Sequence, residues 1–255
     1  MINYISTRYC VQFVDETLTL PKIWNYATRY TTHKLLPIPE IMNLDDEGEI
    51  TLKPYYATLA FLTVGSFSLE DLRHKDKDEN YYKNLQKWIR DVELGLQLAH
   101  QARIIHDDVE PGNIVVVEKE NRAILIDWDM AVRMQGKSTV GNLFYRSLRR
   151  LRKLKKQPLA KYYPVPADDF ESLFYTYLDL VVPELDWRLA NTKNAFDIKS
   201  SVILRFEECV DEWKSSYPKV PDTIWNDLVK MYQILFPTNN FKDDPEVCGI
   251  FVEPE

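Results

Sequence analysis

His106-Asp107-Asp108-Val109-Glu110-Pro111-Gly112-Asn113 is the stretch that decides the fold of this chain, together with Asp127-Trp128-Asp129, which begins fourteen residues after Asn113. An aspartate and an asparagine five positions apart share a loop shaped by Pro111 and Gly112. Two short apolar runs follow, Ile114-Val-Val-Val117 and Ala123-Ile-Leu-Ile126, and the second delivers Asp127 at its end. Runs of this length on either side of a charged turn, Glu118 to Arg122, read as two short strands. Carboxylate and amide oxygens suit a hard divalent cation, and a carboxylate beside a hydroxyl can take its proton. In phosphoryl transfer such a layout assigns Asp108 as base, with Asn113 and Asp127 as metal ligands.

Working outward, Leu85, Trp88, Ile89, Val92, Leu96 and Ala99 recur at helical spacing, so a helix leads directly into the loop. Beyond it, Phe170, Leu173, Phe174, Tyr177, Leu178 and Val181 predict a strong helix starting near Asp168, and two more are expected over 198–214 and 223–236. Residues 9–14 read as a strand, Pro21 to Leu35 as a helix with proline in its first turn, and 49–53 with 55–64 as a hairpin pair. Ser68-Leu-Glu-Asp71 reads as the start of a short helix. A small strand-rich part up to residue 65 and a large helical part after it give an α+β class.

A 255-residue chain with 45% hydrophobic and 13% aromatic residues buries a substantial core and is not a disordered protein. A net charge of −7 and a pI near 5.3 argue against a general nucleic-acid binder. Cys10, Cys209 and Cys248 lie far apart, without metal-ligand spacing and in an odd number. No signal-peptide pattern and no membrane-length apolar run occur. The expectation is a cytoplasmic protein of a reducing compartment, with no membrane and no nucleic-acid partner.

The order helix, His-x-Asp loop, two strands, Asp-Trp-Asp, long segment, then Ala167-Asp-Asp-Phe-Glu-Ser-Leu-Phe-Tyr-Thr-Tyr-Leu178 resembles the C-terminal lobe of eukaryotic-type protein kinases. It is most similar to the casein-kinase-like and fungal-type members. The resemblance implies a protein kinase-like two-lobe fold: a reduced, strand-containing N-lobe over 1–65 and a mainly helical C-lobe over 66–255. Within the latter it implies a catalytic loop at 106–113, a metal-site strand end at 127–129 and an activation-type segment at 130–166. Asp108 and Asn113 would be catalytic, Asn113, Asp127 and Asp129 would hold Mg²⁺ or Mn²⁺, and Gln12 and Asp127 would face ATP. Gly141-Asn-Leu-Phe-Tyr145 matches the family's substrate-docking segment, and Asp169 the aspartate that holds the catalytic loop's amides. His106 is expected to prop the loop rather than to react.

Several positions depart from the family. Seven glycines, none before Gly48, leave no glycine-rich phosphate loop. Gln12 stands where the strand lysine belongs, and Glu110 where the catalytic loop carries lysine. An ATP-sized cluster of negative charge needs cations and N–H groups to offset it, and Glu110 adds charge of the wrong sign. Asp107 replaces the arginine that would meet a phosphorylated activation segment. The Arg146 to Lys156 run is rich in Arg and Lys and free of acid; it reads as an exposed face with Leu148, Leu151 and Leu154 packing inward. Three functions follow from the resemblance: ATP/Mg-dependent phosphoryl transfer to a protein Ser/Thr hydroxyl with Asp108 as base, a pseudokinase that binds a regulatory protein partner, or a small-molecule phosphotransferase.

Overall fold

The chain divides into two units, Met1–Gly65 and Ser66–Glu255. The computed structural model describes residues 11–14, 33–37, 41–44, 50–53, 56–61, 66–73, 75–134, 136, 138, 142–157, 162–185, 191 and 194–237. In the first unit, β1 (Val11–Val14), β2 (His33–Pro37) and β5 (Tyr56–Phe61) form an antiparallel sheet in the order β1-β5-β2. β3 (Ile41–Leu44) and β4 (Ile50–Lys53) make a separate antiparallel pair. The expected hairpin of 49–53 with 55–64 is therefore not formed. Pro54 removes a ladder donor between the two runs, and each pairs elsewhere: Leu52 opposite Met42, and Leu59 opposite Phe13 and Lys34. The end of the expected 21–35 helix is strand, since His33–Pro37 belongs to β2; residues 21–32 lie outside the described residues. Gln12 sits in β1 opposite Ala60.

The second unit carries the helices. β6 (Phe67–Ser68) is followed by a 3-10 turn, Glu70–Leu72, where a short helix was expected. Ser68 N and Oγ both donate to Asp71 Oδ2, closing that turn locally. α1 (Glu79–Gln101) starts at Asp78, whose carboxylate accepts the Tyr81 N–H at 2.7 Å. Its buried stripe is the one the spacing predicts: Leu85, Trp88, Ile89, Val92, Leu96 and Ala99. β7 (Ile104–Ile105), β8 (Ile114–Val117) and β9 (Arg122–Leu125) follow, with β6-β8-β9 forming one antiparallel sheet. Asn121 turns the chain between β8 and β9 in the left-handed region (φ 44°), which asparagine tolerates. Trp88 Nε1 donates to its Oδ1 at 2.9 Å, fastening that turn to α1.

After β9 the chain forms β10 (Val132–Arg133), antiparallel to β7, then α2 (Leu148–Lys156) and α3 (Pro166–Val181). α3 starts with proline at its first position and is buried on nearly every side, as befits a helix at the centre of a core. α1 and α6 (Asp222–Leu235) pack against it. The single helix expected over 198–214 is two, α4 (Ala195–Leu204) and α5 (Phe206–Ser216), broken at Arg205. Apolar spacing continues across the break, because Ile203, Phe206 and Val210 all enter the core. Periodicity alone could not locate it. Among the described residues, no helix is long and apolar enough to cross a membrane.

Candidate active site

Asp169, at the start of α3, organises the loop ahead of Asp108. It is 1% exposed. Its Oδ2 accepts the His106 N–H at 2.8 Å and lies 2.8 Å from His100 Nε2, while its Oδ1 accepts the Asp107 N–H at 2.8 Å. His106 is fully buried. Its Nδ1 accepts the Asp108 N–H at 3.3 Å, so Nε2 carries the ring proton and donates to the Ile126 carbonyl at 3.0 Å. Burial pushes its pKa below the ordinary histidine value, against the pull of Asp169, so the ring stays neutral. The Trp128 indole packs on it edge-on at 4.5 Å. The histidine thus props the loop against the strand end that bears Asp127.

The Pro111–Asn113 turn then aims Asn113 back at Asp108. Asn113 Nδ2 donates to the Asp108 carbonyl at 2.9 Å and to its Oδ2 at 3.1 Å. Both targets can only accept, so the amide orientation is fixed: nitrogen inward, oxygen outward. Asn113 O accepts the Ile126 N–H at 2.8 Å, locking the loop to the end of β9. Asp127 follows at φ 61°, a left-handed backbone uncommon outside glycine, and its side chain is exposed. Its charge bears on His106 and Glu110 alongside that of Asp108. The structure therefore brings Asp108, Asn113 and Asp127 to one neighbourhood. The Asp129 side chain and Gly141 lie outside the described residues, and Gln12 belongs to the other unit.

Asn142 was not singled out from the sequence, and it ties the site together. Its N–H donates to Asp108 Oδ1 at 3.3 Å, its Nδ2 to Glu110 Oε2 at 2.5 Å, and its Oδ1 accepts the Phe144 N–H at 3.1 Å. Both Asp108 oxygens are thus held from opposite sides, by Asn113 and by Asn142. Glu110 is half-buried, and burial raises its pKa; the amide of Asn142 opposes this, while the charges of Asp108, Glu70 and Asp127 add to it. A cavity of about 360 Å³ opens beside it, lined by Glu70, Arg73, Glu110, Phe144, Tyr145 and Asp179 among others.

Residues 80–181 match the family model described as "Fungal protein kinase". The segment is protein kinase-like. Among solved structures, the chain is similar to one titled "Structure of vaccinia related kinase 3", at 22% identity and TM-score 0.46 over 58% of this chain and 48% of that one. It is also similar to one titled "Structure of the Cydia pomonella Granulovirus kinase, PK-1", at 17% identity and TM-score 0.42 over 59% and 49%. The chain thus spans about half the length of the solved structures it matches. No curated protein sequence matches it. The kinase-like segment contains Asp108, Asn113, Asp127 and Asp169.

The basic run differs from the exposed face expected of it. Leu148 and Leu151 are buried, but so is Arg150, which pairs with Asp107. Arg149 pairs with Asp168 at 2.6 Å, and Lys155 with Asp197 at 2.6 Å. Arg152 and Lys153 lie over the rings of Phe196 and Tyr162. Groups distant in sequence absorb these cations: Asp107 in the loop, Asp168 on α3, Asp197 on α4 and two aromatic rings.

Proposed function

We propose that this protein transfers phosphoryl groups from ATP to a protein Ser/Thr hydroxyl, with Asp108 as the base. The observation that carries this is the Asn113 amide, whose nitrogen grips Asp108 and whose oxygen is therefore turned away from it. Asn113 Oδ1 and the exposed Asp127 carboxylate are oxygen donors of the kind Mg²⁺ prefers. Among the described residues no group of three His, Cys, Asp or Glu side chains forms a metal cage. Mg²⁺ is commonly held by one or two protein oxygens together with nucleotide phosphates. When bound, the ion offsets the charge of the phosphates. The chain's own part is to orient the acceptor hydroxyl on Asp108, whose two oxygens are braced by Asn113 and Asn142, and to accept its proton.

A second reading, a pseudokinase that binds a regulatory partner, is favoured by one specific feature. Glu110 stands among Asp108, Glu70 and Asp127 where a cation would help to offset triphosphate charge. The two readings separate in one experiment. Thermal unfolding is followed with ATP and Mn²⁺, alongside transfer of labelled phosphate to a Ser/Thr peptide mixture. The enzyme reading expects a metal-dependent rise in Tm that Asp127→Asn removes, and label transfer that Asp108→Ala abolishes. Wild-type protein that transfers no label would abandon it in favour of the pseudokinase.

A further inference from the structure

Asp107 adopts φ 65°, a left-handed backbone that few residues other than glycine, asparagine and aspartate take up. What it achieves there is specific. Its N–H meets Asp169 Oδ1, and its carboxylate turns the other way, onto the chain that follows the metal-site strand. Arg150 Nη1 donates to Asp107 Oδ1, Arg150 Nη2 donates to Ser138 Oγ at 2.6 Å, and the Ser138 hydroxyl donates to Asp107 Oδ2. The three side chains close a ring. The Asp107 and Arg150 side chains are 1% and 4% exposed. Tyr162 seals the ring, since its carbonyl accepts the Ser138 N–H at 2.9 Å and the Arg150 guanidinium lies 5.1 Å from its ring centroid.

We infer that Arg150 is a positioning residue for the catalytic loop: through the buried Asp107–Arg150–Ser138 ring it sets the placement of Asp108 from within the chain. The inference rests on the phosphotransfer reading only for its kinetic consequence. Ser138 and Arg150 bracket the segment containing Asn142, the residue that braces Asp108 Oδ1. A tie at both ends of that segment therefore acts on Asp108 from two directions, through its neighbour Asp107 and through Asn142. Because the pair is buried, removing one partner strands the other's charge. The polarity is the reverse of the family pattern, in which the loop supplies arginine and the segment a phosphate. Here the loop supplies the acid and α2 the cation, so a phosphate added near Ser138 would oppose Asp107 and compete with it for Arg150. Assembly of this loop therefore does not wait for phosphorylation.

The test combines amide hydrogen exchange with kinetics on the full chain. Arg150→Met should speed exchange at the His106 and Asp107 amides by about tenfold or more, because the loop opens locally. Arg150→Lys keeps the charge but loses the two-pronged donor and should fall between wild type and Arg150→Met. Ser138→Ala removes only the bridging hydroxyl and should give about a two- to threefold change. If Arg150→Met does not fold, the ordering of the other two against wild type carries the same information. With a peptide acceptor, kcat should fall about tenfold in Arg150→Lys while KM for ATP stays unchanged, and phosphatase treatment of wild type should alter neither. Wild-type exchange in the Arg150 variants, or a wild-type rate lost on dephosphorylation, overturns the inference. Wild-type protein that transfers no phosphate counts against the phosphotransfer reading alone, since exchange still decides the tie.

Discussion

Replacing Asp169 by alanine tests the centre of the loop architecture. The carboxylate takes two backbone N–H groups, from His106 and Asp107, and the His100 ring nitrogen, all at 2.8 Å and all buried. Alanine supplies no acceptor, and a single water in the space vacated by the carboxylate would replace only part of the three bonds. Each buried donor left unsatisfied costs about 1–3 kcal/mol. The two amides alone then cost about 2–6 kcal/mol, and loss of the His100 contact adds to that. Against a stability of about 5–15 kcal/mol for an ordinary domain, this is a large fraction. Asp169→Asn should be nearly as damaging, because its NH₂ group faces one of the same donors. His100→Ala, which leaves both amides satisfied, should cost less than half as much. Urea unfolding followed by far-UV circular dichroism measures this, with the midpoint falling and the m-value unchanged. A loss below about 1 kcal/mol for Asp169→Ala would refute the claim that this carboxylate holds the loop.

Two further outcomes follow from buried charges. Arg73 joins Asp179, which is buried, to Glu70 and to the Tyr145 hydroxyl; Arg73→Met should cost about 3–5 kcal/mol by stranding the Asp179 charge. Adding Asp179→Asn should recover part of that in denaturant titrations. Lys199 is buried, donates to the carbonyls of Phe144 at 2.5 Å and Arg146 at 2.9 Å, and lies 3.8 Å from the Tyr175 ring centroid. Burial lowers its pKa from 10.5 to about 7. Between those values the unfolded chain binds more protons than the folded one, so this group's contribution to stability rises with pH across that window. Glu171, raised by burial from 4.5 to about 7, gives the opposite slope below neutrality. The Tm of wild type relative to Lys199→Met should therefore climb between pH 7 and 9, and a flat difference would count against the buried lysine.

Much of the second unit was legible in the chain. The apolar stripe of α1 and the two short strands ending at Asp127 depend on local periodicity and short turns, and both occur where the residues place them. The pairing of Asp108 with Asn113 was legible for the same reason: one short loop brings the two together. What failed was pairing and termination. β4 and β5 bind different partners instead of each other, and Arg205 breaks a helix whose apolar spacing runs on unbroken.

By itself the sequence determined the local elements, the spacing of Asp108, Asn113 and Asp127 and the kinase-like order, because each is written over a few consecutive residues or in patterns of 2.0 or 3.6. Tertiary structure alone decided where the charges go. It turned Arg150 from a supposed surface cation into the buried partner of Asp107, placed Asn142 between Asp108 and Glu110, and tied Lys199 to the carbonyls of Phe144 and Arg146. Those pairings join residues tens of positions apart. Which acid a cation meets is set by tertiary packing such as that of α2 against α4, and no local pattern carries that choice.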